Sequence, residues 1–183
     1  FCLDFSKAAS MPCNPSIGGS AKGQIVGEID AMGGVMGQAA DATYMQIKYL
    51  NQSRGPAVQA LRTQNDKYEY PKYVQNVIKS YENITIIEEE VTNLIVENNQ
   101  VAGVKTVGAQ LFFATAVIIT TGTYLKGKTH IGLTNKEEGR MGEAPSNNLS
   151  SDLADIGLRL GRLKTGTTPR VCAETLSYHK MIP

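Results

Sequence analysis

Apolar residues recur at helical spacing after Ser20, where Ile25, Val26, Ile29 and Met32 share one face before Gly33 and Gly34 supply a stop. Met45, Ile47 and Tyr49 then alternate with polar residues, as a half-buried strand does, and the polar run 51–56 reads as a turn. A second helical pattern follows at Tyr70, Tyr73, Val74, Val77, Ile78 and Tyr81, with Pro71 either in its first turn or kinking it. From there the period shortens to two. The runs 84–89, 91–97, 101–107 and 110–114 are rich in β-branched and aromatic residues, and Asn98-Asn99 and Gly108-Ala109 separate some of them as hairpin turns. The run 116–124 reads as a buried strand ending in glycine, and a short helix is expected near Asn147 to Ile156. At the start, Phe1 to Phe5 resembles the end of a strand. In the loop that follows, from Ser6 to Gly19, Pro12, Pro15, Gly18 and Gly19 oppose regular structure.

Helix, meander and strand in this order predict an α/β fold. A parallel sheet is crossed by a helix, and an antiparallel β-meander (about 84–115) precedes the next parallel strand, as in the FAD-binding Rossmann-like fold of glutathione-reductase type. On this reading residues 1–170 form a partial FAD-binding domain and 171–183 begin an insertion or linker.

Composition narrows the field. The 183 residues carry a formal net charge of +1, which excludes a chain that is basic throughout, so any RNA contact must come from a local patch. Cys2, Cys13 and Cys172 are odd in number and lack C-x-x-C spacing, which points to a reducing compartment rather than a disulfide framework or a metal site. The strongest apolar stretch, Leu111 to Ile119, is too short to span a bilayer. No basic, apolar leader stands at the start. The expected location is the cytoplasm. A chain that opens on Phe1 inside an apolar run and ends at Pro183 without a closing element reads as cut at both ends.

Four loops carry candidate chemistry. In the first, residues 11–19, two prolines and two glycines fix a tight turn in which Gly18 and Gly19 let backbone amides approach a ligand. A helix expected directly after it would favour an anion or an electron-rich ring edge, and would activate Cys13 with help from Lys22. The alternative is a structural turn holding a buried thiol. In the second, an apolar strand delivers Thr120-Thr121-Gly122-Thr123, a small turn suited to close backbone approach, though any buried strand can end so. The third, 139–146, combines glycines with Arg140 and suits a phosphate or carboxylate. The fourth, 161–170, sets Lys164 and Arg170 around small hydroxyl residues and suits a polyanion. For these two the alternative is a solvated loop.

The order of these blocks resembles one family. MPCNPSIGG at 11–19, AKG at 21–23, EIDAMGG at 28–34, RGPAVQALRTQNDK at 54–67, TTGTYLKGKTHIG at 120–132, GRMGEAPS at 139–146 and GRLKTGTTPR at 161–170 are similar to successive blocks of the MnmG/GidA family. That resemblance implies binding of FAD, reduction by NADH and work with the GTPase MnmE as a homodimer. The implied reaction adds an aminomethyl or carboxymethylaminomethyl group to C5 of the wobble uridine of tRNA. Methylene-tetrahydrofolate supplies the carbon, and glycine or ammonium the nitrogen. It implies cofactor contacts at Val91 and Ser146, and in the glycine loops at Asn14, Gly18, Gly19, Thr121 and Gly122. Cys13 becomes the catalytic candidate, and Lys164 and Arg170 the substrate-facing cations. No metal is implied.

Several departures qualify this. The family's G-x-G-x-x-G loop, its NAD-binding insertion, its second active-site cysteine and its helical C-terminal region have no counterpart among these residues, and Thr168 replaces a usual proline. The chain by itself is therefore expected to be inactive and to bind FAD weakly or not at all. Three other readings compete. Another FAD reductase of the same fold would need a C-x-x-x-x-C pair or a substrate histidine, whereas His130 and His179 stand in neither context. A folate- and FAD-dependent tRNA uridine methyltransferase would lack the CNPSIGG block. An interaction module would use the amphipathic helix near Tyr70 to Tyr81.

Overall fold

The computed structural model describes residues 1–140, 142–166 and 171–181. The first unit couples three strands to three helices. β1 (Ser16–Gly18) and β2 (Tyr44–Leu50) flank β3 (Ala60–Asn65), both antiparallel to it. α1 (Gly23–Ala31) ends at Gly33, whose φ of +84° lets the chain reverse into α2 (Val35–Thr43). α3 (Glu69–Ser80) carries Pro71 as its third residue, where the backbone N–H would have no helical partner in any case. Met11, Ala39, Ala40 and Tyr70 form the buried cluster of this unit, with Ile17, Val35, Tyr73 and Val74 packed against it.

A polar knot supplements this small core. Asn65 is 2% exposed, donates to the Ala40 carbonyl (2.9 Å) and Thr43 Oγ1 (3.1 Å), and accepts from Thr63 Oγ1 (2.7 Å). Every polar atom of that side chain has a partner, as burial demands. Asp66, one residue on, accepts from the amides of Tyr68 (2.8 Å) and Glu69 (2.9 Å) and so closes the start of α3. These bonds hold its carboxyl below the ordinary value. Its contribution is therefore present above the ordinary carboxylate range and is lost as pH falls through the lowered folded value. Replacing Asp66 by Asn should lower the thermal midpoint at pH 7 and flatten its dependence on pH in the acid range, which calorimetry across pH 3–7 would measure.

The second unit is the meander. β4 (Val91–Glu97), β5 (Gln100–Thr106) and β6 (Leu111–Phe113) form an antiparallel sheet in chain order. Asn98 and Asn99, with φ of +49° and +63°, make the tight β4–β5 turn that their side chains tolerate. α4 (Leu149–Asp155) docks on it. Asp152 accepts from the Leu94 amide and from Asn93 Nδ2, both at 2.8 Å, while Leu149 and Leu153 are buried. A separate hairpin, β7 (Lys128–Ile131) with β8 (Thr134–Glu137), projects from the intervening loop.

Several expectations are corrected. Among the described residues every sheet is antiparallel, and parallel pairing is confined to two isolated bridges, Cys2 with Glu88 and Leu125 with Ser146. The predicted strands at 1–5, 84–89 and 116–124 form no ladder: the first two meet only in the single Cys2–Glu88 bridge, which leaves 84–89 outside the antiparallel meander, and 116–124 makes no bridge. The run 116–124 is accordingly not buried, and Ile118 is 86% exposed. α2 and β3 lie where no element was expected, and β1 forms inside the segment read as irregular. No described helix is long and apolar enough to cross a membrane.

Candidate functional site

A cleft of about 740 Å³ opens between the first ten residues, the start of β4, the segment 117–124 and the loop 140–149, a size suited to a cofactor-sized ligand. Val91, Thr121, Gly122 and Ser146, four of the residues expected to meet a cofactor, line it together. The walls are positioned by backbone bonds. Cys2 N–H donates to the Ile87 carbonyl (3.0 Å), Phe5 N–H to the Glu88 carboxylate (2.6 Å) and Gly108 N–H to the Glu89 carboxylate (2.7 Å). Ser146, 7% exposed, donates its N–H to the Tyr124 carbonyl (2.9 Å) and accepts at its own carbonyl from Lys126 N–H (2.8 Å). Gly122, at φ +56°, and Gly142, at φ +78°, have open space where a Cβ would stand, so the rim leaves room for backbone to meet a ligand.

One carboxylate organises that rim. Glu143 accepts from the Tyr124 hydroxyl through a short hydrogen bond and from Arg140 Nε (3.2 Å) and Nη2 (3.0 Å), and Lys7 Nζ stands 3.9 Å away. The Arg140 guanidinium also lies over the Tyr124 ring, 5.5 Å from its centroid. Burial opposes ionisation of Glu143, but the bonds from Tyr124 and Arg140 and the charges of Arg140 and Lys7 outweigh it and hold the carboxyl below its ordinary value. Burial, then the Glu143 hydrogen bond, pushes the Tyr124 hydroxyl up, so the pair rests as a neutral phenol on a carboxylate. The sequence singled out Arg140 as an anion reader, but it says nothing of Tyr124, Glu143 or Lys7, whose meeting depends on three separate segments.

The loop around Cys13 lies elsewhere. Cys13, Asn14, Gly18, Gly19 and Lys164 are not among the residues lining the cleft, although Ser10 is. The Asn65 N–H donates to the Pro15 carbonyl (2.7 Å), Arg62 Nη2 to Ser16 Oγ (3.0 Å) and Gly19 N–H to the Leu61 carbonyl (2.8 Å), which laces the loop onto β3. The Gly19 amide is thus committed to the protein rather than pointed at a ligand. The helix expected after this loop is α1, whose first turn closes on the Gly19 carbonyl through Gly23 N–H (2.8 Å), but β1 stands between Cys13 and that helix. Cys13 Sγ donates to the Gly166 carbonyl at 3.7 Å, bringing the first candidate loop against the fourth. Arg170 lies outside the described residues.

Comparison with known proteins agrees over the whole length. The family described as "Glucose inhibited division protein A" matches residues 1–183. A tRNA uridine 5-carboxymethylaminomethyl modification enzyme MnmG from Acholeplasma laidlawii is 47% identical over 180 residues, covering 98% of this chain and 29% of that protein. The protein of the same name from Onion yellows phytoplasma is 49% identical over 172 residues, covering 94% of this chain and 28% of its own. The crystal structure of Aquifex aeolicus GidA superposes with a TM-score of 0.85 at 46% identity, covering 91% of this chain and 28% of that one. The α/β arrangement described above is therefore that of GidA, seen over little more than a quarter of the relatives' length. The chain belongs to the MnmG/GidA family.

Proposed function

We propose that residues 1–170 form part of the FAD-binding region of a cytoplasmic tRNA-modifying enzyme, with 171–183 opening the next insertion or linker. The cleft shared by Val91, Thr121, Gly122 and Ser146 carries this reading, because four positions assigned to a cofactor on sequence alone converge on one cofactor-sized space. FAD held there, reduced by NADH, would supply the redox chemistry for transferring the carbon of methylene-tetrahydrofolate to C5 of the wobble uridine of tRNA, with glycine or ammonium as nitrogen source. MnmE and a second copy of the enzyme are the proposed protein partners.

The chain's own residues divide the work. Val91 presents backbone to the nucleotide, Ser146 lines the same cleft with its backbone groups bonded to Tyr124 and Lys126, and Gly122 leaves the approach open. Glu143 holds the rim. Asn14, Gly18 and Gly19 give the Cys13 loop its shape, and Cys13 is the proposed catalytic thiol, either attacking or carrying a proton. Lys164 and Arg170 face the tRNA.

A chimera tests this directly, with this chain replacing the aligned segment of the Acholeplasma laidlawii MnmG. The purified chimera should carry flavin absorbance at close to one equivalent and modify tRNA. Its Cys13→Ser variant should keep the flavin and lose modification by at least 100-fold, as removal of a nucleophile or proton carrier does. A colourless chimera would overturn the FAD assignment, and a fully active Cys13→Ser variant the role of the thiol.

A further inference from the structure

Charge along the chain is far less even than its net value. No Asp or Glu occurs between Glu97 and Glu137, or between Asp155 and Glu174, while these two stretches hold Lys105, Lys126, Lys128, Lys136, Arg159, Arg162, Lys164 and Arg170. The fold brings the two stretches together, because Arg162 Nη1 donates to the Lys126 carbonyl at 2.8 Å. Four residues later the same segment meets Cys13 through the Gly166 carbonyl. Lys164 therefore lies midway between the residue bonded to the Lys126 turn and the residue bonded to the thiol, Arg162 and Gly166, whose Cα atoms stand at most about 14 Å apart. Lys126, Arg159, Arg162 and Lys164 are all exposed, and among the described residues none of them is in an ion pair. Lys128 differs, since it faces Glu137 across its hairpin.

We infer that Lys126, Arg159, Arg162 and Lys164 form a docking strip for the phosphate backbone of an RNA strand, oriented so that a nucleotide at its end reaches Cys13. This rests on the tRNA reading above and adds to it the surface and the direction of approach. Four unpaired, solvated cations hold a condensed polyanion by counterion release and carry no base preference themselves, so the strip positions the RNA without selecting it. It also accounts for how a chain of net charge +1 can meet RNA at all.

The test is fluorescence anisotropy of the purified chain with a labelled anticodon stem-loop RNA, titrated with KCl. Each of Arg159→Gln, Arg162→Gln and Lys164→Gln should reduce the slope of log K against log salt by about 0.7, and the triple variant by about 2. The triple variant should weaken binding at least 10-fold at low salt. Arg162→Lys, which keeps the charge, and Lys48→Gln, on β2, should leave the slope as it is. An unchanged slope in the triple variant, no RNA binding by the chain at low salt, or equal affinity for polyglutamate of the same length would each overturn the strip. Flavin uptake by the chimera is scored separately. A colourless chimera whose strip variants still shift the salt slope would sink the FAD reading and leave the strip standing.

Discussion

Replacing Gly18 by Ala is expected to unfold the Cys13 loop and the sheet that carries it. Gly18 has φ of +83°, which costs an L-residue about 1–2 kcal/mol. A Cβ there would fall on the Leu61 carbonyl oxygen, within the neighbouring strand's backbone rather than at the end of a flexible side chain. That oxygen also accepts the Gly19 N–H, so a shift that relieves the clash breaks a hydrogen bond at the same place. Together these effects should destabilise the chain by about 3 kcal/mol or more and lower the thermal midpoint by roughly 10 °C. Gly27→Ala is the control, because nothing lies within 4 Å of its added carbon. It should be neutral or mildly stabilising in the interior of α1. Equal midpoints for the two variants would contradict the packing of β1 on β3.

Removing the Glu143 carboxylate should release the rim of the cleft. Glu143→Ala leaves the Arg140 guanidinium and the Tyr124 hydroxyl, both partly buried, without their acceptor, at a local cost of about 2–3 kcal/mol. Cleavage by trypsin after Arg140 should then accelerate at least 10-fold while the far-UV spectrum stays native. Glu143→Gln should give an intermediate rate, since it keeps the shape and loses the charge. Because the folded carboxyl sits below its ordinary value, the latch is closed at neutral pH and opens only as the solution falls through that lowered value. Cleavage at an unchanged rate in Glu143→Ala would show that the carboxylate does not hold this loop.

Periodicity made some elements legible and left others hidden. α3 was readable because Tyr70, Tyr73, Val74, Val77 and Ile78 repeat at helical spacing, and its Pro71 sits in the first turn, one of the two places allowed to it. β4, β5 and β6 were readable because asparagine and glycine turns punctuate them. β3 was not, since its inward side chains include Thr63 and Asn65, polar residues whose burial depends on partners in α2. The run 116–124 has the composition of a buried strand but forms none, because burial is a property of neighbours and none among the described residues covers it. At the site, the glycine blocks led to Gly122 and Ser146. The Glu143 cluster was silent because Tyr124 and Lys7 reach the Arg140–Glu143 pair from segments that only the tertiary fold unites.

The uncovered run at 116–124 has a consequence for how the molecule comes into being. From Thr106 to Leu125 there is neither a charged residue nor a proline, and Leu111, Phe113, Ile118 and Ile119 stand in water. Such a stretch is a template for intermolecular pairing, kept in check on its far side by the gatekeeping ammonium groups of Lys126 and Lys128. During synthesis on the ribosome β4 and β5 emerge first and can pair Leu111–Phe113 at once, whereas 116–124 escapes aggregation only if a further neighbour covers it promptly.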